Sequence, residues 1–328
     1  MVQETKKGGD AVYWFYILGG VAALALVYLF ACFVCFRLTF YVPRRRKVRE
    51  YDLPPGKIYA PYHNDLRRWI DMTRNTPHED LYITSHDGLR LHAAYYECDP
   101  AAPCEIIFHG YRGSPQRDTA AGLERCFEVG HNVLLVDGRT AGKSEGHVIS
   151  FGANEQYDCL AWIERLNEKR GMEKGVILAG VSMGAATVML ASAHPLPSNV
   201  KYILADCGYS SARDIIRKVV RENLHLPNFI FYPMIRLGGI LFGGFDVEGV
   251  SPERALANAS VPMIFIHGAD DGFVPAYMSE RCHAACHAPY KSLLLVKGAN
   301  HGLSLVIDPD GYYTAIKQMR AACDMKEI

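Results

Sequence analysis

The chain has 328 residues, of which 49% are hydrophobic and 21% are charged, which is enough apolar material for one large domain with a sizeable core. Lys and Arg together number 35, and Asp and Glu together also number 35. This neutral balance argues against a nucleic-acid-binding protein, which needs a basic surface, and against an acidic disordered tail.

The first uncharged segment covers residues 11–36, between Asp10 and Arg37. As a helix it would be about 39 Å long, which exceeds the roughly 30 Å of a bilayer core. Aromatic residues flank both ends like an interfacial belt: Tyr13, Trp14, Tyr16, Phe40 and Tyr41. A cleaved signal peptide fits less well, because the run is long and no small-residue cleavage site closes it. We therefore expect a short tail, residues 1–10, and one uncleaved transmembrane helix.

The charges that flank this segment predict its orientation. Lys6 and Lys7 precede it and are offset by two acidic residues, whereas a basic run follows it: Arg37, Arg44, Arg45, Arg46, Lys47 and Arg49. Positively charged flanks stay in the cytoplasm, so we expect a single-pass membrane protein with its N-terminus outside and its large C-terminal domain in the cytoplasm. The basic flank could also contact anionic lipid headgroups. Ten cysteines without disulfide-framework spacing agree with a reducing compartment.

Residues 37–80 are expected to form a basic juxtamembrane linker, broken by prolines, with a helix near 65–73. The remaining residues, 81–328, show a hairpin signal at Asp87-Gly88 and then alternating apolar runs and amphipathic stretches. The expected strands are 81–85, 89–96, 105–108, 132–137, 175–179, 202–205, 263–267 and 292–296. The expected helices lie near 120–129, 155–167, 184–193, 278–285 and 311–319. This alternation predicts an α/β fold, a mostly parallel sheet with helices on both faces.

An insertion at about 212–260 interrupts the alternation. Its segment 224–245 is unusually apolar. A long connection of this kind in a compact domain is typical of a lid over a site, so we expect a short lid. A second element that contacts the membrane is the alternative.

A serine in the sequence Gly180-Val-Ser182-Met-Gly184 follows an apolar run and precedes a stretch of small residues. This G-x-S-x-G pattern between a strand and a helix is typical of a nucleophile on a sharp turn, where small neighbours let the backbone pass closely. A serine hydroxyl needs a base and an orienting carboxylate. His301 is the candidate base, and Asp270 and Asp271 are candidate acids, each in a loop after a predicted strand. The chain order Ser, Asp, His is the one expected for an α/β-hydrolase.

The transition state also needs hydrogen-bond donors for its oxyanion. The backbone N–H of Met183, directly after the serine, is one candidate. The other is the N–H of Tyr111 in the stretch "IIFHGYRGS", residues 106–114, where His109 and Gly110 would shape the turn.

From about residue 80 onward, the chain resembles serine hydrolases of the α/β-hydrolase superfamily, near the membrane-anchored bacterial, serine aminopeptidase-like branch. The resemblance is carried by "TSHDGLRLHAAYY", "HGYRGS", "DGRTAGKSEG", "GVSMGA", "HGADDGFVP" and "GANHGLS". It implies an acyl-serine mechanism without metal or organic cofactor, and it favours Asp271 as the acid, four residues before Pro275. Asp206 is the backup acid, since some members of the superfamily take the carboxylate from the earlier strand.

Two other motifs carry less weight. The stretch "DGRTAGKSEG" lacks the glycine spacing of a phosphate-binding loop. Cys282, His283, Cys286 and His287 have i, i+4 spacing that could bind zinc, but a plain helix is favoured and no metal site is expected.

The sequence thus predicts a membrane-anchored serine hydrolase of the carboxylesterase or lipase type. Its partners would be a small-molecule ester, lipid-like or peptide substrate and membrane lipid, with no nucleic acid. A serine aminopeptidase-type peptidase and a non-catalytic binding protein with the same fold are the alternatives.

Overall fold

The computed structural model describes residues 4–43 and 51–325, with only the backbone of residues 4–12. The helices in chain order are α1 (Glu4–Thr39), α2 (His63–Asn75), α3 (Pro115–Asp118), α4 (Ala120–Glu128), α5 (Glu155–Arg170), α6 (Met183–Ala191), α7 (Ala212–Lys218), α8 (Asn228–Gly238), α9 (Pro252–Ala255), α10 (Tyr277–Ala285), α11 (Ser304–Ile307) and α12 (Pro309–Ala322). The strands are β1 (Glu79–Thr84), β2 (Arg90–Tyr96), β3 (Cys104–Phe108), β4 (Asn132–Asp137), β5 (Val176–Val181), β6 (Val200–Asp206), β7 (Met263–Gly268) and β8 (Lys291–Val296). Single π-helical turns at Val219–Asn223 and Gly239–Gly243 extend α7 and α8.

The eight strands form one sheet in the order β1-β2-β4-β3-β5-β6-β7-β8. β1 pairs with β2 and β2 with β4 in antiparallel fashion, and every other neighbour is parallel. β3, β4 and β7 are buried along their whole length, as expected for parallel strands with helices on both faces. The predicted mostly parallel α/β sheet is confirmed.

Helices cover the two faces of the sheet through separate apolar clusters. On one face, Trp162 of α5 and Met189 of α6 pack in the larger cluster. On the other face, Leu123 of α4 and Ile316 of α12 pack in the second cluster. The carboxyl ends of the parallel strands therefore meet between two helical layers, where open α/β sheets place their sites.

α1 is longer than the predicted span of 11–36. It includes residues 4–10, which the sequence assigned to a tail, and continues to Thr39. Within its stretch Tyr13–Thr39, an 18-residue window has a mean hydropathy of 2.5, and among the described residues this is the one helix long and apolar enough to cross a membrane. Residues 44–50, which hold most of the predicted basic flank, lie outside the described residues.

The last turns of α1 pack into the α/β domain. Cys32, Phe36 and Phe40 are at most 4% exposed. α8 approaches the backbone of α1 so closely that a Cβ on Gly238 would lie 2.6 Å from the carbonyl oxygen of Cys32. Only a residue without a side chain fits there, so the contact depends on this glycine.

Side chains of the loop after β3 cap the carboxyl end of α1. The Tyr111 hydroxyl donates to the carbonyl oxygen of Thr39 at 2.6 Å. The Arg112 guanidinium donates to the carbonyl oxygens of Leu38 and Tyr41 at 2.8 and 3.1 Å. The final carbonyls of a helix have no partner within it, and these contacts satisfy those of Leu38 and Thr39 together with the carbonyl of Tyr41 just beyond the helix.

The insertion at 212–260 is present as α7, α8 and α9 with short connecting turns. Its apolar residues pack on α1, where Phe242 contacts the rings of Phe33 and Phe36 and Phe245 contacts the ring of Phe40. A cavity opens at Ser182 and His301, and of the described residues that line it, none comes from this insertion. The insertion expected to be a lid therefore does not line that cavity, and part of its apolar surface packs against α1 instead.

The segment expected to be a linker has a structural role instead. α2 packs against α4, with Trp69 and Ile70 buried in a small apolar cluster. Before α2, the Tyr59 hydroxyl donates to the carbonyl oxygen of His301 at 3.0 Å. Residues 54–69 thus form one wall of this cavity.

Candidate active site

Ser182 lies on the sharp turn between β5 and α6. Its backbone has φ 57° and ψ −113°, a conformation that a residue with a side chain rarely adopts. The turn needs both flanking glycines, because a Cβ on Gly180 would lie 2.2 Å from the backbone of Gly184, and one on Gly184 would lie 2.0 Å from the carbonyl oxygen of Phe108. The strained turn lifts the Ser182 hydroxyl above the end of the sheet.

Three side chains from three separate loops meet at this turn. His301 Nε2 lies 3.0 Å from Ser182 Oγ, and His301 Nδ1 lies 2.7 Å from Asp271 Oδ2. Ser182 is only 7% exposed and Asp271 only 6%. These are the distances expected for a nucleophile, its base and the carboxylate that orients the base.

Asp271 is held as a carboxylate. Burial alone raises its pKa, but hydrogen bonds from His267 and His301 outweigh burial and hold the pKa well below its usual range. Its other oxygen accepts the backbone N–H groups of Phe273 and Val274, both at 2.8 Å. An ionised Asp271 accepts a hydrogen bond from the N–H at Nδ1 of His301. The other ring nitrogen, Nε2, then carries no proton and is the acceptor that faces the serine.

His109 and Gly110 form the turn beside the serine. His109 Nε2 accepts the backbone N–H of Gly138 at 3.0 Å, so its Nδ1 carries the proton and donates to the carbonyl oxygen of Gly110 at 2.9 Å. Asp118 accepts the N–H of Gly110 at 3.1 Å. The loop is thus held by hydrogen bonds on both sides, with the histidine in a structural contact.

The two candidate oxyanion donors flank this arrangement. Gly110 is so near the serine that a Cβ on it would lie 3.5 Å from Ser182 Cβ, and Tyr111 follows directly and lines the same cavity. Met183 is the first residue of α6, so its N–H belongs to the helix turn whose donors lack partners within the helix. The positive end of the α6 dipole points toward the serine as well.

A cavity of about 460 Å³ opens at Ser182 and His301. Its walls come from residues 54–69, from 117–122 of α3 and α4, and from 302–306 after the histidine. Most of these side chains are apolar. Burial raises the pKa of Tyr59, in this wall, to about 12, so its phenol stays protonated and can keep donating to the His301 carbonyl.

The alternative acids lie elsewhere. Asp270 is exposed, and its carboxylate accepts the backbone N–H of Gly298 at 3.0 Å. Asp206 ends β6, lines the cavity and accepts the Tyr312 hydroxyl at 3.1 Å. Since His301 Nδ1 is bonded to Asp271, the geometry favours Asp271 over both.

Two groups of side chains among the described residues have metal-like spacing. One, Cys207 with Asp271 and His301, overlaps the triad just described. The other, Glu105 with Cys126 and His131, is already bonded to the guanidinium groups of Arg125 and Arg320, whose charge opposes a second cation. The helix with Cys282 and His283 contributes to neither group.

Several residues around the site had no sequence signal. Tyr59, Asp118 and His267 contact the His301 carbonyl, the Gly110 N–H and Asp271, respectively. A carboxylate eight residues after Gly110 could have been tested as a partner for that turn. The contact between Tyr59 and His301 joins residues 242 positions apart and has no local pattern.

The comparisons with known proteins agree with this geometry. A model of the family described as X-Pro dipeptidyl-peptidase (S15 family) matches residues 41–225, more than half of the chain. The uncharacterized protein YqkD of Bacillus subtilis is 26% identical over 191 residues, which cover 58% of this chain and 62% of that protein. The uncharacterized protein YfhR of Salmonella typhimurium is 24% identical over 283 residues, which cover 84% of this chain and 86% of that protein.

Among solved structures, an esterase of Pyrococcus furiosus superposes with a TM-score of 0.63 at 19% identity, covering 87% of this chain and 99% of the esterase. At that identity the likeness concerns the fold. The family match, the fold and the serine geometry lead to one assignment. The chain belongs to the X-Pro dipeptidyl-peptidase (S15) family, within the α/β-hydrolase superfamily of serine hydrolases.

Proposed function

We propose that the protein is a membrane-anchored serine hydrolase that cleaves carboxylic esters through an acyl-serine intermediate, with Ser182, His301 and Asp271 as its triad. The observation that carries the proposal is the continuous chain of contacts from Ser182 Oγ to His301 Nε2 at 3.0 Å and from His301 Nδ1 to Asp271 at 2.7 Å. A scaffold protein would have no need of this arrangement on a strained turn.

In the proposed reaction, His301 Nε2 takes the Ser182 proton while Oγ attacks the substrate carbonyl. The N–H groups of Met183 and Tyr111 stabilise the resulting oxyanion. The protonated His301 then gives its proton to the leaving alcohol, and the acyl-serine remains. In the second step, His301 takes a proton from water while the water oxygen attacks the acyl-serine, and the carboxylic acid is released. Asp271 stabilises the imidazolium that forms in both steps.

The preference for esters rests on the cavity. Its walls near the serine are mostly apolar, and residues 54–69 supply one of them. A peptidase of the S15 type is the second candidate, favoured by the description of the matching family model. Turnover of a matched pair, one ester and the amide with the same acyl group, decides between them.

The test of the mechanism is labelling by a fluorophosphonate in detergent-solubilised full-length protein. We expect the wild type to be labelled, and Ser182→Ala and His301→Ala to abolish or strongly reduce labelling. Asp270→Asn is the matched control and should label like the wild type. A folded wild type that resists the probe, or equal labelling of Ser182→Ala, contradicts the proposal.

The membrane assignment rests on α1, with its uncharged stretch and exposed middle. The basic residues after it favour a cytoplasmic catalytic domain. Protease treatment of sealed right-side-out vesicles tests both points. A cytoplasmic domain is degraded only after the vesicles are opened. Degradation in sealed vesicles would mean that the domain faces the outside. Release of the protein by a salt wash would mean that α1 does not anchor it in the membrane.

A further inference from the structure

The turn that follows α8 leaves three large apolar side chains uncovered. Ile240, Leu241 and Phe242 lie in the π-helical turn Gly239–Gly243 and are 41%, 50% and 42% exposed, respectively. A single exposed apolar residue is ordinary on a protein surface, whereas a contiguous group of them is typical of an interaction surface. We call these three residues the apolar tip.

The apolar tip lies directly against α1. The ring centroid of Phe242 is 5.2 Å from that of Phe33 and 5.8 Å from that of Phe36. Phe33 is itself 40% exposed, so the exposed apolar surface of α1 continues onto the tip. Just before the tip, Gly238 packs against the backbone of Cys32. These contacts fix the tip at the level of residues 32–36 of α1.

The depth of this level in a membrane follows from the length of helix that a bilayer core requires. A core of roughly 30 Å takes about 20 residues of helix. Centred on the uncharged segment 11–36, these are about residues 14–33, so Cys32 and Phe33 lie within the hydrocarbon.

A shift of the helix across the membrane does not move the tip into water. The core cannot begin before residue 11, because residue 10 is an aspartate. A core that began there would end near residue 30, and Cys32 would lie about 3 Å further on, within the roughly 5–7 Å of headgroups on that side. A tilted helix needs more residues to cross the core, which places Phe33 deeper still.

The charges near the tip agree with a position in lipid. Segment 224–245 contains one residue of the Lys, Arg, Asp and Glu types, which is Arg236. Its guanidinium is bonded to both carboxylate oxygens of Asp246, at 2.9 and 2.7 Å. A charge is costly in hydrocarbon unless it is paired or reaches the water. The charge that this segment carries is therefore already compensated and does not oppose the entry of the tip into lipid.

We propose that the apolar tip is inserted into the lipid bilayer beside α1, so that the domain contacts the membrane through a second element. Its partner is the acyl-chain region of the leaflet that the domain faces. This inference rests on the proposed membrane anchoring and adds a surface to it. The insertion that follows β6 then serves as a membrane contact of the domain.

Fluorescence quenching by phospholipids with brominated acyl chains measures whether a tryptophan contacts the hydrocarbon. Trp14, in the exposed part of α1, reports the anchor in the wild type. Trp69 and Trp162 are at most 8% exposed within the domain and form a constant background. Each variant is therefore made in a Trp14→Phe background, and the full-length protein is reconstituted in vesicles with and without brominated lipid.

Leu241→Trp and Ile240→Trp each place a probe in the tip, so the result does not depend on the folding of one variant. Met172→Trp is the matched control, because Met172 is 52% exposed and lies four residues before β5, at the opposite edge of the sheet from the loop that caps α1. We expect the added emission of both tip variants to be blue-shifted and to be lost in brominated vesicles. The emission of Met172→Trp should persist. Thermal unfolding of each variant verifies its fold.

Two results overturn the inference: a folded tip variant whose emission survives in brominated vesicles, or a Met172→Trp variant that is quenched as strongly as the tip. The emission of Trp14 in the wild type separates this failure from that of the proposed anchoring. A quenched Trp14 together with an unquenched tip refutes only the inserted tip, whereas an unquenched Trp14 refutes the membrane anchor itself.

Discussion

Replacing Asp271 by asparagine tests the proposed triad with a change of one non-hydrogen atom. One carboxylate oxygen accepts the N–H groups of Phe273 and Val274, and an asparagine carbonyl can keep both contacts. The new NH₂ then replaces the oxygen that faces His301 Nδ1 and His267 Nε2. A donor in that position favours the His301 tautomer whose Nδ1 accepts, so Nε2 carries the proton and cannot take one from the serine.

The expected loss is large for activity and moderate for stability. In a Ser-His-Asp triad, the wrong histidine tautomer lowers kcat by about 10⁴-fold, or about 5.5 kcal/mol of transition-state stabilisation. His267 Nε2 lies 2.8 Å from the carbonyl oxygen of Val274, which can only accept, so Nε2 carries a proton and would lie beside the new NH₂ instead of a carboxylate oxygen. This buried mismatch of donors should cost about 1–3 kcal/mol in the free energy of unfolding.

The assay is steady-state turnover of a p-nitrophenyl ester together with thermal unfolding of the same samples. Asp270→Asn and Asp206→Asn are run in parallel. A folded Asp271→Asn with kcat within about tenfold of the wild type would refute the assignment, because no triad tolerates the wrong tautomer that well. A large loss of kcat in Asp206→Asn alone would mean that Asp206, at the end of β6, is the acid of the triad.

Two further predictions concern the surroundings of the site. Tyr111→Phe keeps the backbone N–H but removes the bond to the Thr39 carbonyl; we expect about 1 kcal/mol lower stability and a reduced kcat at unchanged KM, measured by unfolding and steady-state kinetics. An unchanged kcat would mean that this contact does not position the loop. Glu105 is fully buried, and although burial raises its pKa, the charge of Arg125 outweighs it and lowers the pKa to about 2. The stability that the ionised Glu105 contributes is therefore present above its unfolded pKa of about 4.3 and is lost as the pH falls toward 2. Between these two pH values, we expect the free energy of unfolding, measured by denaturant titration, to fall less for Glu105→Gln than for the wild type.

The features that the sequence predicts well are those determined by short stretches of chain. Buried parallel strands read as continuous apolar runs, and the predicted run 132–137 matches β4 residue for residue. The serine turn was predictable because its strain requires Gly180 and Gly184 at fixed offsets from Ser182. His301 was the candidate base because it follows a predicted strand in the expected chain order, and its Nε2 lies 3.0 Å from Ser182 Oγ.

The features that the sequence does not predict arise from contacts between distant segments. The apolar stretch 224–245 is typical of a lid, but its glycines fit it against α1 instead, and nothing local distinguishes the two uses. The wall formed by residues 54–69 depends on the contact of Tyr59 with the His301 loop. Glu105 lies in the buried strand β3, and nothing local in the sequence shows that the partner of its carboxylate is the guanidinium of Arg125 in α4.

The capping of α1 by the loop after β3 has a mechanical consequence. A flexible tether lets a soluble domain tumble and present its active site in every direction. Here Tyr111 and Arg112 bind the final carbonyls of the helix, and Phe36 and Phe40 are inserted into the domain, so helix and domain rotate as one body. In a membrane, a helix fixed in this way would hold the mouth of the cavity at one distance from the lipid surface and in one orientation. Only substrates that reach that distance could then enter the cavity.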